Sequence, residues 1–242
     1  MNLHIKQEAQ KLFDEYPYRT ELHAHTSPAS PCSRISPKEM IRLMKEQHYD
    51  AVVITNHFFR DGSFMKSEDP SAAYLQDFYE TKEEGEKQGI RVLLGAEYRF
   101  DENGNDYLVY GLDEDFIRGT ISCFDMGIRD FYKKYHDESR LILQAHPFRN
   151  GMVRVEKEYL DGIEIMNMHP NHNSRVAMAT KYAREQGFLV QIIGTDLHEV
   201  GHEGIAALRT RILPENEAKL VEILRSGDYI FEVGGCPMLP VL

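Results

Sequence analysis

Short apolar runs alternate with longer amphipathic stretches along most of this chain. Several runs, such as Val52-Val53-Ile54, are almost continuously β-branched, which is typical of buried parallel strands. We predict an eighth β-like run, Tyr107–Leu112, as a hairpin arm after the turn residues Asn103-Gly104-Asn105. The other predicted strands are Thr20–Ala24, Ala51–Thr55, Ile90–Ala96, Arg140–Ala145, Gly162–Met166, Leu189–Gly194 and Ala207–Leu213.

The amphipathic stretches carry helix start and stop signals. Ser36 has the character of an N-cap, with Pro37 at the first helical position, and predicts a helix to about His48. Further helices are predicted over 1–14, 70–88, 173–186 and 214–226, the last three each followed by a glycine. Strand–helix alternation favours a parallel sheet or barrel. Without a linker rich in Pro, Gly or Ser, we expect one domain over residues 1–242.

Composition narrows the function classes. The formal net charge of −11 lacks the basic footprint of proteins that bind nucleic acid non-specifically, so such binding is disfavoured, although not excluded. No apolar run is long enough to span a bilayer and no signal-peptide pattern opens the chain, so we expect a cytoplasmic protein without a membrane partner. The three cysteines, far apart and odd in number, indicate reduced thiols.

Polar groups follow the predicted strands directly. His23-x-His25 and Asp196-x-His198 each place two ligand-type side chains on one face of a strand end, because residues i and i+2 project the same way. Two surface histidines are the alternative for an isolated His-x-His. Imidazole and carboxylate together suit Zn²⁺, Mn²⁺ or Fe²⁺.

Three other strand ends carry candidate ligands. Glu97 follows a mostly apolar run, where a carboxylate is costly to bury unless a metal or a salt bridge, for example with Arg99, compensates it. His57 is a ligand candidate or a polar loop residue. His146 is a ligand candidate, and Arg149 is placed either to meet an anionic substrate or to form a surface ion pair.

In this order, the motifs resemble those of the PHP family, named for polymerase and histidinol phosphatase. The resemblance spans about residues 18–213 and implies an α/β fold, a distorted (β/α)7 TIM-like barrel, with a trinuclear metal centre and phosphoester hydrolysis. It implies that one metal is held by His23, His25, Glu97 and Asp196. Glu97 would bridge to a second metal on His146, while His57 and His198 would hold a third. The matching segments are His23-x-His25, Thr55-Asn56-His57, Gly95-Ala96-Glu97, Ala145-His146-Pro147 and Thr195-Asp196-Leu197-His198.

The chain departs from the family pattern at three positions. Cys32 stands near the position where many members carry an Asp or His ligand of the third metal, and a thiolate would favour a softer metal such as zinc. Asp106 stands near the position of a further family His, and is either a second-metal ligand or a turn residue. Asn56 replaces the usual Asp beside His57.

The resemblance leads us to expect hydrolysis of a small phosphate monoester by a metal-bridging hydroxide in a site of two or three divalent ions, Zn, Mn or Fe. Arg149 and Arg34 would neutralise phosphate charge, and Asp196, His169 or a metal-bound water would protonate the leaving group. The alternatives are a nucleotide phosphodiesterase or nuclease on this scaffold, C–N hydrolysis, and a non-catalytic metal-binding PHP module. Substrate identity and oligomeric state do not follow from the sequence.

Overall fold

The computed structural model describes residues 3–241, which form a mixed α/β fold. One eleven-stranded sheet curls into a half-barrel, with helices packed around it. The strands are β1 (Tyr18–Ala24), β2 (Ala51–Ile54), β3 (His57–Phe58), β4 (Arg91–Arg99), β5 (Asp106–Tyr110), β6 (Leu141–Gln144), β7 (Gly162–Asn167), β8 (Val190–Gly194), β9 (Ala206–Thr210), β10 (Tyr229–Val233) and β11 (Cys236–Met238).

Seven α-helices lie within the described residues, and two short 3-10 turns cover Ser63–Lys66 and Lys157–Tyr159. None of these helices combines the length and the apolarity needed to cross a bilayer. The helices are α1 (Leu3–Glu15), α2 (Pro37–Glu46), α3 (Pro70–Gln88), α4 (Glu114–Thr120), α5 (Gly127–Tyr135), α6 (Val176–Gln186) and α7 (Glu217–Ser226).

The order of strands in the sheet is β11-β10-β9-β1-β2-β4-β5-β6-β7-β8, with β3 beside β4. The pairs β1–β2, β2–β4, β6–β7 and β7–β8 are parallel. Strand β5 is antiparallel to both of its neighbours, so β4 and β6 run in the same direction. The carboxyl ends of β1, β2, β4, β6, β7 and β8 therefore meet at one edge, where barrel folds place their active sites.

The chain after β8 pairs with the end of β1 and narrows the half-barrel at this edge. Leu197 forms a parallel bridge with Ala24. The amide of His25 donates to the carbonyl of Leu197 at 3.0 Å, and the amide of Leu197 donates to the carbonyl of His23 at 3.0 Å. These bonds bring the first and last polar motifs of the sequence side by side.

The predicted barrel-like α/β architecture is confirmed, and the local helix signals act as expected. Ser36 accepts from the amide of Glu39 at 3.3 Å, and Gly89, Gly187 and Gly227 take left-handed conformations at helix ends. Met1 and Asn2 of the predicted N-terminal helix lie outside the described residues.

The sequence pattern did not reveal β3, β10, β11, α4 or α5. Strands of two or three residues, such as β3 and β11, are too short to show a period. Residues 116–127, which carry no helix signal in the sequence, contribute to α4 and α5. Aromatic contacts pack α5 against the sheet: the ring centroid of Phe131 on α5 lies 5.1 Å from that of Tyr98 on β4.

Candidate metal centre

The carboxyl edge of the sheet gathers the side chains that the sequence singled out. His23 lies in β1, Glu97 in β4 and His57 at the start of β3, while His146 and Asp196 follow β6 and β8. His23, His25, Glu97, His146 and Asp196 are buried, and His57 and His198 are half-buried. Both His146 and Asp196 have positive φ, at 28° and 55°, so the backbone turns sharply just where each side chain enters the site.

Four side chains surround one point with the spacing of metal ligands. Nε2 of His23 lies 3.3 Å from Oε1 of Glu97 and 3.4 Å from Oδ1 of Asp196. Nε2 of His25 lies 3.4 Å from Oε2 of Glu97 and 3.3 Å from the same Asp196 oxygen. Ligands about 2.1 Å from a tetrahedral metal lie roughly 3.4 Å apart, so these separations match a coordination shell.

Two of these atoms have no hydrogen-bond partner. Nε2 of His23 and Nε2 of His25 are buried without a group in hydrogen-bond geometry among the described residues. Burying a polar atom unpaired costs about 1–3 kcal/mol, so two such atoms facing one point are costly unless a cation occupies it. The residues present fit a bound metal.

Glu97 stands between two groups of histidines. Its Oε1 lies 3.1 Å from Nε2 of His146, and its Oε2 lies 2.8 Å from Nδ1 of His57. The same two oxygens face His23 and His25. A carboxylate in this arrangement can share its oxygens between two ions.

The charges around the site favour cations. Burial by itself lowers the pKa of His23, but Asp196, Glu164 and Glu97 outweigh that effect and hold the pKa well above its usual value. Burial and the neighbouring His198 and His57 hold the pKa of His25 well below its usual value, so that imidazole is neutral. Neutral imidazole is the form that binds metals.

A second cluster lies on the solvent side. Ligand atoms of His25, His57 and His198 lie within 4.8 Å of one another. Burial raises the pKa of the Cys32 thiol, but hydrogen bonds with His198 and His57 lower it to about 6. Cys32 thus lies beside both predicted third-metal histidines, with a thiolate available near neutral pH.

The PHP domain family model matches residues 21–233, most of the chain. The chain belongs to the PHP domain family. Part of the chain is also similar to a PolC-type DNA polymerase III of Oceanobacillus iheyensis. The match is 25% identical over 108 residues, which cover 45% of this chain and 6% of the polymerase.

Among solved structures, the fold resembles a two-domain protein from Bacteroides vulgatus that contains a predicted PHP-like metal-dependent phosphoesterase. The TM-score is 0.62 at 14% identity, covering 89% of this chain and 64% of that one. The chain therefore spans less than two thirds of both of these relatives. At this identity the likeness shows a shared fold.

Two departures from the PHP pattern have local explanations. The guanidinium of Arg99 binds both oxygens of Asp106, at 2.7 and 2.8 Å, and Asp106 lies 3.7 Å from Nε2 of His146. Asp106 is thus inside the site, and the guanidinium of Arg99 already balances its negative charge.

The side-chain amide of Asn56 holds the loop after β1 in place. Its oxygen accepts from Thr26 N at 2.7 Å and its nitrogen donates to the Thr26 hydroxyl at 2.9 Å.

The predicted substrate-binding and proton-transfer residues lie around a cavity of about 380 Å³. Arg149 lines it, with Nη2 at 2.6 Å from Asp196 and 2.8 Å from Asn167. His169 also lines it, and burial lowers the pKa of His169 to about 4. Arg34 is 79% exposed and lies 3.6 Å from Glu199 at the rim.

Two buried glutamates near the metal ligands escaped the sequence analysis. Glu164 of β7 contacts Nδ1 of His23 at 2.9 Å, and Glu21 of β1 accepts from the amides of His23 and Thr195 at 2.9 and 3.0 Å. Glu164 interrupts an apolar strand rather than following one, so a carboxylate inside an apolar run was the signal that could have found it, because it needs buried donors. Glu21 follows Arg19 and Thr20 in β1 and gave no such signal.

Proposed function

We propose that this PHP protein hydrolyses phosphoesters with the help of two or three divalent metal ions, and that its substrate is a small phosphate monoester. The observation that supports this most is the Glu97 carboxylate between His23 and His146, with the unpaired buried Nε2 of His23 at its side. The cavity above these residues measures about 380 Å³, a size that suits a small substrate. We also propose that residues 1–242 form one such domain.

In this proposal, the ligand sets follow the clusters of side chains. His23, His25, Glu97 and Asp196 would hold the first metal, and Glu97 and His146 would hold the second, with Asp106 in reach. The third set is His57, His198 and Cys32. When bound, such ions make a water nucleophilic at neutral pH and stabilise charge on the phosphate.

The remaining residues orient the substrate and supply protons. Arg149 has its guanidinium in the cavity wall and would bind phosphate oxygens, while exposed Arg34 would act only from the rim. Of the two side-chain candidates for proton transfer, His169 is the more accessible, but its pKa of about 4 leaves it neutral near pH 7, so it would have to take up a proton before donating one. Both oxygens of Asp196 are engaged, one by His25 and the other by Arg149, whereas His169 lines the open cavity.

The test is a phosphatase panel on protein first stripped with EDTA, verified metal-free, and then loaded with Mn²⁺ or Zn²⁺. We expect activity on phosphate monoesters only after loading, with two or three ions per chain by elemental analysis. His23→Ala should lower activity at least about 100-fold. The matched control is His48→Asn, which removes an exposed histidine at φ 58°, where Asn is tolerated. Equal turnover by verified metal-free protein would disprove the mechanism.

The match to a DNA polymerase segment makes nucleotide phosphodiester hydrolysis the second candidate. Bis(4-nitrophenyl) phosphate and a dinucleotide in the same panel separate the two. Faster turnover of these diesters than of any monoester would favour the second candidate. Fewer than two ions per chain and no turnover would favour a non-catalytic metal-binding module.

A further inference from the structure

A second cavity, of about 570 Å³, opens beside the metal centre. Its wall is the segment from Pro147 to Arg154, together with Arg175 and Met178 at the start of α6. Arg149 and Met152 line both this cavity and the one above the metal ligands. A molecule bound at the metal centre can therefore extend into the second cavity.

The second cavity is cationic in an acidic protein. Arg149, Arg154 and Arg175 line it, and no Asp or Glu is among its described lining residues. The whole chain has a formal net charge of −11. Within residues 3–241, neither Arg154 nor Arg175 forms an ion pair with a carboxylate, whereas Arg149 pairs with Asp196. Two uncompensated guanidinium groups facing one cavity attract an anion.

The cavity wall is held in place by hydrogen bonds. Arg175 donates to the carbonyl of Phe148 at 2.6 Å and to Oδ1 of Asn150 at 2.5 Å. The fully buried side chains of Asn105 and Gln144 both donate to the carbonyl of Val153 at 2.7 Å. The segment that carries Arg154 is thus fixed before any ligand binds, which lowers the entropic cost of binding.

The rim of the cavity also offers apolar surface. Val153 is 54% exposed and Met178 is 50% exposed, and both line the cavity. These side chains lie beside the arginines and suit an uncharged, apolar part of a ligand.

We infer that this cavity is a second substrate subsite, which binds an anionic group of a molecule whose phosphoester lies at the metal centre. This inference rests on the proposed phosphoesterase function and narrows its substrate class. The substrate is a phosphate monoester with a second anionic group, a phosphate or a carboxylate, at the far end of a short apolar linker. Arg154 and Arg175 bind that group, and Val153 and Met178 contact the linker.

The experiment compares three matched substrate series on Mn²⁺-loaded protein: alkyl monophosphates, alkanediol bisphosphates and ω-carboxyalkyl phosphates with three to six carbons. We expect kcat/KM to be about tenfold or more higher for a bis-anionic substrate of the right length, mainly through KM. The carboxylate and bisphosphate series show which anion the subsite prefers. Arg154→Ala should reduce the preference to near one, and Arg154→Glu should invert it. Arg184→Ala, an exposed arginine further along α6, is the control and should keep it.

Equal kcat/KM for mono- and bis-anionic substrates of every length, or an unchanged preference in Arg154→Ala, would overturn the inference. Failure of the proposed function looks different, because no phosphate ester would be turned over at all. The subsite is then tested by calorimetric binding of the bisphosphates and the alkyl phosphates. Tighter binding of the bisphosphates, lost in Arg154→Ala, would support it, and equal binding would refute it.

Discussion

Oε1 of Glu164 lies 2.9 Å from Nδ1 of His23, and neither side chain is accessible to solvent. A carboxylate accepts hydrogen bonds, so this contact keeps a proton on Nδ1. Nε2, which faces Glu97 and Asp196, is then the ring nitrogen that gives up its proton and supplies a lone pair when a metal binds between these carboxylates. The other oxygen of Glu164 accepts from the backbone amide of His146 at 2.8 Å. One residue of β7 thus orients ligands from two other strands.

Glu164→Gln should weaken metal binding about 10- to 100-fold, because the amide is a poorer acceptor for Nδ1–H and can favour the wrong tautomer of His23. The measurement is competition with a chelating dye, which needs no substrate. Glu158→Gln, an exposed change in the turn before β7, is the control. Unaltered affinity in Glu164→Gln would show that Glu164 does not position the ligand.

Gly194→Ala should both destabilise the fold and disturb the site. A Cβ at Gly194 would lie 2.4 Å from Cβ of His23 and 3.0 Å from Oε1 of Glu164, so β8 and β1 would have to separate. We expect a loss of about 1–3 kcal/mol in the free energy of unfolding, with weaker metal binding. Gly119→Ala on α4, with nothing within 4 Å of the added Cβ, should not destabilise; denaturant unfolding tests both. An unchanged free energy of unfolding in Gly194→Ala would contradict the close packing of β8 against β1.

Bound metal should protect Cys32 from alkylation. Its thiol lines the same cavity as His57 and His198, so a metal on these histidines would engage or cover the sulfur. We expect iodoacetamide to label Cys32 faster in metal-free than in zinc-loaded protein, read by peptide mass spectrometry. Cys236 is exposed on β11, away from these histidines, and should be labelled equally in both. Equal labelling of Cys32 in both forms would argue against a metal at this third set.

Asn56→Asp should be tolerated, whereas Asn56→Ala should not. The side-chain oxygen of Asn56 accepts from Thr26 N and from the Ser30 hydroxyl, at 2.7 and 3.0 Å, and a carboxylate can accept the same bonds. Alanine leaves the buried amide of Thr26 unpaired and removes one partner of the Ser30 hydroxyl, so we expect a loss of about 1–3 kcal/mol in the free energy of unfolding. Thermal and urea unfolding of the two variants provide the measurement. If the alanine variant were as stable as the aspartate variant, the hydrogen bonds would not matter.

Local patterns were sufficient to predict eight of the eleven strands that the described residues form and to single out most candidate ligands. Apolar runs followed at once by a polar group locate the ends of parallel strands, and the i, i+2 spacing puts His23 and His25 on one face. Those features depend only on neighbouring residues. They also explain why β3 was missed, because two residues carry no period.

The partners across the site were decided only by the tertiary structure. The sequence determined which residue types stand at the strand ends; the strand order and the curl of the sheet determined which of them meet. Leu197 pairs with Ala24 and so brings Asp196 beside His23, and Arg99 binds Asp106 rather than Glu97. Arg154 and Arg175 face one cavity for the same reason. Arg99 and Asp106 are paired across the β4–β5 hairpin, but the other contacts join residues far apart in the chain, and their distances depend on long-range packing that no local pattern encodes.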